Sequence, residues 1–441
     1  MLARLLHPEV RETLTEPTVP AVLPCASPVR RAPVVFPKSV TRGGSVDFEM
    51  ASGYINVTSD DLLFYWYVGA APDAPADAPL LVWSNGGPGC SAMEGATTEG
   101  GALWLWDAKQ SGKTGFTGHL TRNPYAWNAQ AHLVFVDQPR YVGYSTGTGK
   151  KITSSVEAGL DMVAFLRGWY STFPEHKHRR LILASESYGG HYVPAWVSAV
   201  LDFNEAAPQG ERLPLAGMMI GNGIVNETAQ QPHFAEFAAA QNLIPAGSKP
   251  VGEGATRALI EKTLGYSPNF YDYRLEQQTG CCGCGGYDYG EWAGWFMRDD
   301  VKEALNVCGS AGTEAFGGCG GGCVGLPSFD DGDRFDYSGA IARALDAGVN
   351  LTFYYGEQDT ACNYVGALAM ANSSLHWGGT AAWARAPARP LHLAGASVGS
   401  VRSAVGPSGA TLTFITADGA GHMVPMDNGA AASLALASIV G

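Results

Sequence analysis

The chain has 441 residues, is 46% hydrophobic, and sets 28 Lys and Arg against 41 Asp and Glu, a net charge of −13. That length buries about three quarters of the unfolded surface as one large or two ordinary domains, and the apolar fraction rules out a disordered chain. The acidic balance argues against nucleic-acid binding, which needs clustered basic groups to release counterions. No run of 18 apolar residues occurs, which argues against a membrane span.

Residues 1–44 are Pro-rich and non-periodic and read as a leader or arm. The start, MLARLLHPEVRETL, shows no clear signal peptide. Buried strands follow at Leu62–Val68, Leu80–Ser84 and His132–Asp137. Ser154–Tyr170 has helical spacing, Leu181–Ala184 is a strand, and a helix is expected from Tyr192. Met218–Ile220, Leu351–Tyr355 and Leu412–Thr416 are further strands. This alternation implies a mostly parallel sheet with helices on both faces, an α/β fold. Residues 226–335 break the rhythm. They read as a Gly- and Cys-rich insertion with short helical patches such as Arg298–Val307, between core parts 45–225 and 336–441.

Six of the nine Cys fall in this insertion: Cys281, Cys282, Cys284, Cys308, Cys319 and Cys323. Cys281, Cys284, Cys319 and Cys323 could make a four-sulfur zinc site, but disulfides in a secretory compartment are the preferred reading. The odd number leaves at least one thiol free. Sequons at Asn56, Asn226, Asn350 and Asn372 add weak support for a secretory route and are glycosylation candidates.

The segment LILASESYGGHYVP (181–194) carries a strand into Ser187 and then a helix. A sharp strand-to-helix turn exposes a serine hydroxyl as a nucleophile, and the helix N-terminus adds N–H groups and partial positive charge. The position two before Ser187 is Ser185, where such turns usually have Gly. An ordinary turn serine stays open as the alternative. A nucleophilic Ser needs a base, and the base an orienting carboxylate. Asp359 follows the strand Leu351–Tyr355, and His422 lies in a Gly-rich loop after Leu412–Thr416. Turn and loop roles are the alternatives for these two. His176 and His178 sit in HKHRR, read as a solvated surface loop. The loop Asn85-Gly86-Gly87-Pro88-Gly89-Cys90 follows a strand and suits an oxyanion hole, since glycines let backbone N–H groups approach a ligand. It lacks the ending of a phosphate loop.

The chain resembles the serine carboxypeptidase family, of α/β-hydrolase fold, in WSNGGPGCSA (83–92), NPYAWN (123–128), VDQP (136–139), ESYGGHYVP (186–194), IGNG (220–223), DVKEAL (300–305), YGEQDTACN (355–363) and GAGHMVPMD (419–427). The resemblance runs from about Gly53 to the C-terminus. It implies Ser187 as nucleophile, His422 as general base and acid, and Asp359 as its partner. It implies an oxyanion hole from the N–H groups of Gly87 and Tyr188. Asn85, Gly86 and Glu186 would hold the substrate's α-carboxylate, with Glu99 paired to Glu186; without the resemblance Glu99 reads as an exposed loop acid. Met423 would border the substrate pocket and Cys362 would be a free thiol beside it. Cys90 would bond to the insertion, through Cys319 or Cys323.

Arg140-Tyr141-Val142 departs from the family's smaller residues, so Arg140 would alter a subsite or point to solvent. The expected activity is removal of C-terminal residues from peptides and proteins through an acyl-enzyme, with an insertion covering the site. Two carboxyls facing a substrate carboxylate must share a proton, so binding should weaken as pH rises, giving an acid-pH peptidase. No metal or organic cofactor is implied. An acyltransferase on the same triad and a non-catalytic scaffold are the rivals. The expected destination is the secretory pathway, vacuole or lysosome or outside the cell; a homodimer is left open.

Overall fold

Strands whose side chains are buried on both faces need cover on both faces, and the helices supply it. A computed structural model describes residues 28–42, 46–106, 115–277, 289–317, 321–326, 329 and 336–441. The strands in chain order are β1 (Ala32–Pro33), β2 (Met50–Asn56), β3 (Asp61–Val68), β4 (Leu80–Ser84), β5 (Leu103–Trp106), β6 (Phe116–Arg122), β7 (His132–Val136), β8 (Thr146–Gly147), β9 (Leu181–Glu186), β10 (Leu215–Gly221), β11 (Asn350–Gly356), β12 (Arg389–Leu393), β13 (Ala396–Val405) and β14 (Thr411–Ala417).

One sheet runs β1-β2-β3-β7-β4-β9-β10-β11-β14-β13-β12, with β8 on β3 and a separate β5–β6 hairpin. The six strands from β7 to β14 in that order are mutually parallel. Antiparallel strands flank them on either side. Strands covered on both sides read as continuous apolar runs, and β3, although antiparallel to its neighbours, shows why. Leu63, Tyr65 and Tyr67 enter one core, while Leu62, Phe64, Trp66 and Val68 enter the other. The helices Ser155–Thr172 and Gly189–Ala206 pack on the first side, and Gly429–Val440 on the second. Ser154 caps the first of these helices by accepting from Glu157 N, and Glu157 in return accepts from Thr153 N.

Every strand proposed from the sequence is present: five are longer by one to four residues, Leu80–Ser84 is unchanged, and the strand from His132 ends at Val136, one residue before Asp137. Three features differ. The helix after the turn begins at Gly189, three residues before Tyr192. Within residues 1–44, assigned to the arm, Ala32–Pro33 joins the sheet edge as β1, and Val34 and Val40 are buried in the core. His176 is buried rather than solvated: Tyr67 Oη lies 3.2 Å from its Nε2, and its ring meets that of His132 at 4.6 Å.

Strands β10 and β11 are neighbours across residues 222–349, which add helices such as Phe234–Ala240, Glu253–Leu264 and Gly290–Phe296 and no strand to the large sheet among the described residues. Trp292 and Phe296 join the main core beside Tyr144, whereas Phe234, Phe237, Leu243, Ile244 and Ile260 form a small core of their own. Within the expected patch 298–307 the helix is Asp299–Ala304. No helix among the described residues is long and apolar enough to cross a membrane.

Candidate active site

The C-terminal ends of parallel strands are where such sheets gather chemistry, and the candidate residues follow five of them, β4, β9, β10, β11 and β14. Strand β9 ends at Glu186 and the helix starts at Gly189, so Ser187 must turn the chain within two residues. It does so at φ 57°, a left-handed conformation that a non-glycine residue adopts at a cost. Its N–H donates to Gly221 O of the next strand, and its own carbonyl accepts from Gly190 N and Ile224 N. The departure at Ser185 is accommodated by the glycine after the turn: a Cβ on Gly189 would lie 2.3 Å from Ser185 Oγ. The space opened by one missing side chain is filled by the other.

After β11, Asp359 is fully buried. Its Oδ2 lies 2.7 Å from His422 Nδ1. The same oxygen accepts from Asn222 Nδ2 at 2.7 Å and from Cys362 N at 3.2 Å, while Oδ1 accepts from Ala361 N at 2.8 Å. A carboxylate with this many donors is fixed in one orientation and cannot swing away from the imidazole. Cys362 is a free thiol whose pKa is raised, first by burial and then by the charge of Asp359, with a contact to Ser187 working against them. Its sulfur, the Asp359 carboxylate and the His422 ring lie within 4.8 Å of one another. The histidine and the acid therefore come from two distant stretches into one buried cluster with the thiol.

Asn222 was not singled out in the sequence, although it stands in the IGNG string. Its Oδ1 also accepts from Gly356 N, so it ties β10 to the start of the acid loop. An Asn directly after a strand that neighbours the elbow strand is the cue that could have found it.

The glycine loop after β4 meets the elbow backbone to backbone. A Cβ on Gly86 would lie 2.5 Å from Glu186 O and 2.8 Å from Tyr188 N, so only glycine fits there, and the Gly87 N–H follows one residue along. Cys90, at the end of this loop, is bonded to Cys323, one of its two expected partners. That bond removes Cys323 from the zinc alternative. Cys308 is also disulfide-bonded. Cys281, Cys282, Cys284 and Cys319 lie outside the described residues.

Beside the loop lies a carboxyl pair. Asn85 Nδ2 donates to Glu99 Oε1 and to Glu186 Oε1, both at 3.1 Å. Asn85 Oδ1 accepts from Trp83 Nε1 and Gly95 N, which fixes the amide's orientation. Glu99 is buried, not exposed, and its backbone carbonyl accepts from Trp104 Nε1 and Asn123 Nδ2. Desolvation raises the pKa of both acids; for Glu186 the charge of Glu99 adds to it and holds the group well above the carboxyl range. The outer oxygens, Oε2 of each, are buried without a hydrogen-bond partner, and two buried carboxyls held on one amide favour sharing a proton. His422 is near enough for its charge to act on Glu99. Met423 is buried next to the histidine. A cleft is lined by Glu227, Phe234, Arg257, Thr360 and Cys362.

Other candidates take different places. Arg140 neither faces a subsite nor points to solvent: its Nε and Nη1 bond to Asp161 and Asp61 at 2.6 and 2.8 Å. Asn56 and Asn372 are exposed and Asn350 half-buried. Asn226 is buried, caps a helix and donates to Ser338 Oγ, which removes it from the glycosylation acceptors.

A buried Asp–His pair, a serine on a strained strand-to-helix turn and a glycine loop packed against it define the α/β-hydrolase class. The family model described as serine carboxypeptidase matches residues 37–251 and 255–441, so the chain belongs to that family and is a serine-type carboxypeptidase. It is 28% identical over 420 residues to carboxypeptidase Y homolog A of Uncinocarpus reesii, covering 85% of this chain and 71% of that one. It is 26% identical to carboxypeptidase Y of Candida albicans over 419 residues, covering 85% and 70%. In fold it is similar to Kex1Δp, a prohormone-processing carboxypeptidase from Saccharomyces cerevisiae, with a TM-score of 0.74, 21% identity, and coverage of 92% of this chain and 95% of that one.

Proposed function

We propose that the chain removes C-terminal residues from peptides and proteins through an acyl-enzyme on Ser187, and that it works best at acidic pH. Ser187 Oγ attacks the carbonyl of the last peptide bond while His422 takes its proton. The oxyanion that forms meets the N–H groups of Gly87 and Tyr188. His422 then protonates the leaving amine, and the terminal amino acid departs. Water, deprotonated by His422, hydrolyses the ester and returns the proton to Ser187. Asp359, held by Asn222 and two backbone amides, keeps the imidazole in the required tautomer.

The observation that carries this reading is the Glu99–Glu186 pair on Asn85, one residue before the nucleophile. An ester or alcohol substrate has no use for it, but a free α-carboxylate does. Asn85, the Gly86 backbone and the protonated Glu186 offer it hydrogen bonds while the pair holds a proton. Once that proton leaves, two carboxylates repel a third. Met423 borders the pocket. The division into core parts 45–225 and 336–441 around an insertion of 226–335 belongs to the same reading, supported by β10 and β11 lying side by side. The Cys90–Cys323 bond and the exposed sequons at Asn56 and Asn372 support a secretory route to a vacuole, a lysosome or the outside.

Blocked dipeptides with free and amidated C-termini, assayed from pH 4.5 to 8, test this. The free acid should be cleaved far faster, with KM rising as pH rises and kcat changing less. Equal cleavage of acid and amide would overturn the carboxylate reading, and active-site labelling without peptide cleavage would favour acyl transfer.

A further inference from the structure

Residues 270–274 lie in the insertion, yet they are bonded to both loops that hold the Asp–His pair. Phe270 O accepts from Thr360 N and Ala361 N, each at 3.0 Å, and from Thr360 Oγ1 at 2.7 Å. Tyr271 O accepts from His422 N at 2.6 Å, and Tyr273 N donates to Gln358 O at 3.1 Å. Arg274 Nη1 donates to Gly419 O at 3.0 Å. The segment is itself tied: Tyr271 N donates to Asn269 Oδ1, Leu275 N to Asp272 O, and Arg274 is paired with Asp272.

The ring of Tyr271 stacks on that of His422, with centroids 4.2 Å apart and planes 10° from parallel. A Cβ on Gly421 would lie 2.4 Å from Tyr271 O, so the glycine before the histidine is what admits the segment so closely. Two ring torsions remain to an imidazole on a Gly-rich loop. Asp359 constrains the ring at one edge, and a flat neighbour at stacking distance constrains its plane.

We propose that Tyr271 is a positioning residue for His422, and that segment 270–274 holds the acid loop and the histidine loop in register. The insertion is then part of the catalytic frame and not only a cover. This rests on the assignment of Ser187, Asp359 and His422 as the triad. Tyr271→Leu removes the flat ring while keeping an apolar side chain. Its kcat should fall by up to about 100-fold, the scale of a catalytic group displaced by about an ångström, with KM for a free-acid dipeptide unchanged. The rate of Ser187 labelling by a fluorophosphonate should fall in step, because labelling does not use the carboxylate pocket. Tyr271→Phe keeps the ring and should restore both rates.

A thermal melt checks that each variant is folded; if Leu does not fold, Tyr271→Met reads the same loss. Unchanged kcat in the folded variant would overturn the proposal. So would a raised KM with intact kcat, which would make the ring a substrate contact, or a failure of Phe to rescue. Ser187→Ala, run alongside, separates the two levels. Retained activity there would sink the triad itself, whereas a dead Ser187→Ala beside a normal Tyr271→Leu would sink only this inference.

Discussion

Glu94 lies on the helix Met93–Thr98, is 4% exposed, and has a carboxylate within 4.8 Å of the Cys90 and Cys323 sulfurs. Desolvation, and then the charge of Glu99, push its pKa from 4.5 up to about 8; a contact with Tyr289 works weakly against them. The folded chain therefore holds this proton more tightly than the unfolded chain does. The stability it confers is complete below pH 4.5 and is lost as pH rises towards about 8. Over that span of about 3.5 pH units, at about 1.4 kcal/mol per unit, the loss amounts to at most about 5 kcal/mol. Glu94→Gln replaces the carboxyl with a group of similar shape that never ionises. Urea titrations of both proteins at pH 4.5, 6 and 8 measure the difference. The two should be similar at pH 4.5, and the variant should be the more stable by several kcal/mol at pH 8. A difference that stays flat with pH would refute the reasoning. Asp137 and Asp427, raised chiefly by burial to about 6 and about 7, add losses of the same sign, so the wild type should be most stable at acidic pH.

Arg140→Ala should destabilise the fold by about 3–5 kcal/mol, because it leaves buried Asp61 and Asp161 without their counter-charge; chemical denaturation measures this, and kcat/KM of the folded fraction should not change. Replacing Cys90 and Cys323 by Ser opens a link spanning 233 residues and should cost about 5 kcal/mol on the chain-entropy scale. An unaltered denaturation midpoint would show that this bond does not hold the insertion.

The parallel centre of the fold was legible because its strands are short apolar runs between turn residues, and the loops after them carry the glycines and acids. Legibility fell where a residue's role is set by a partner far along the chain. Strand β13, ASVGSVRSAV, is built of small and polar residues and is a strand because β14 and β12 pair with it on either side. Ser185 departs from the usual Gly, and the compensating space belongs to Gly189. Arg140 reads as a subsite or solvent-facing residue because its partners Asp61 and Asp161 lie 79 and 21 residues away. Glu99 on its own reads as an exposed loop acid because Asn85, which holds its carboxyl, lies 14 residues away. Asn222 and Tyr271 meet the Asp–His pair only through strand pairing and the return of the insertion.

The most direct measurement is the site of covalent labelling. The protein is treated with a fluorophosphonate at pH 5, digested, and the adduct mapped by mass spectrometry. A single adduct on Ser187, with loss of peptidase activity in proportion to labelling, is the predicted result. An adduct on another residue, or full activity after Ser187 is blocked, would contradict the assignment.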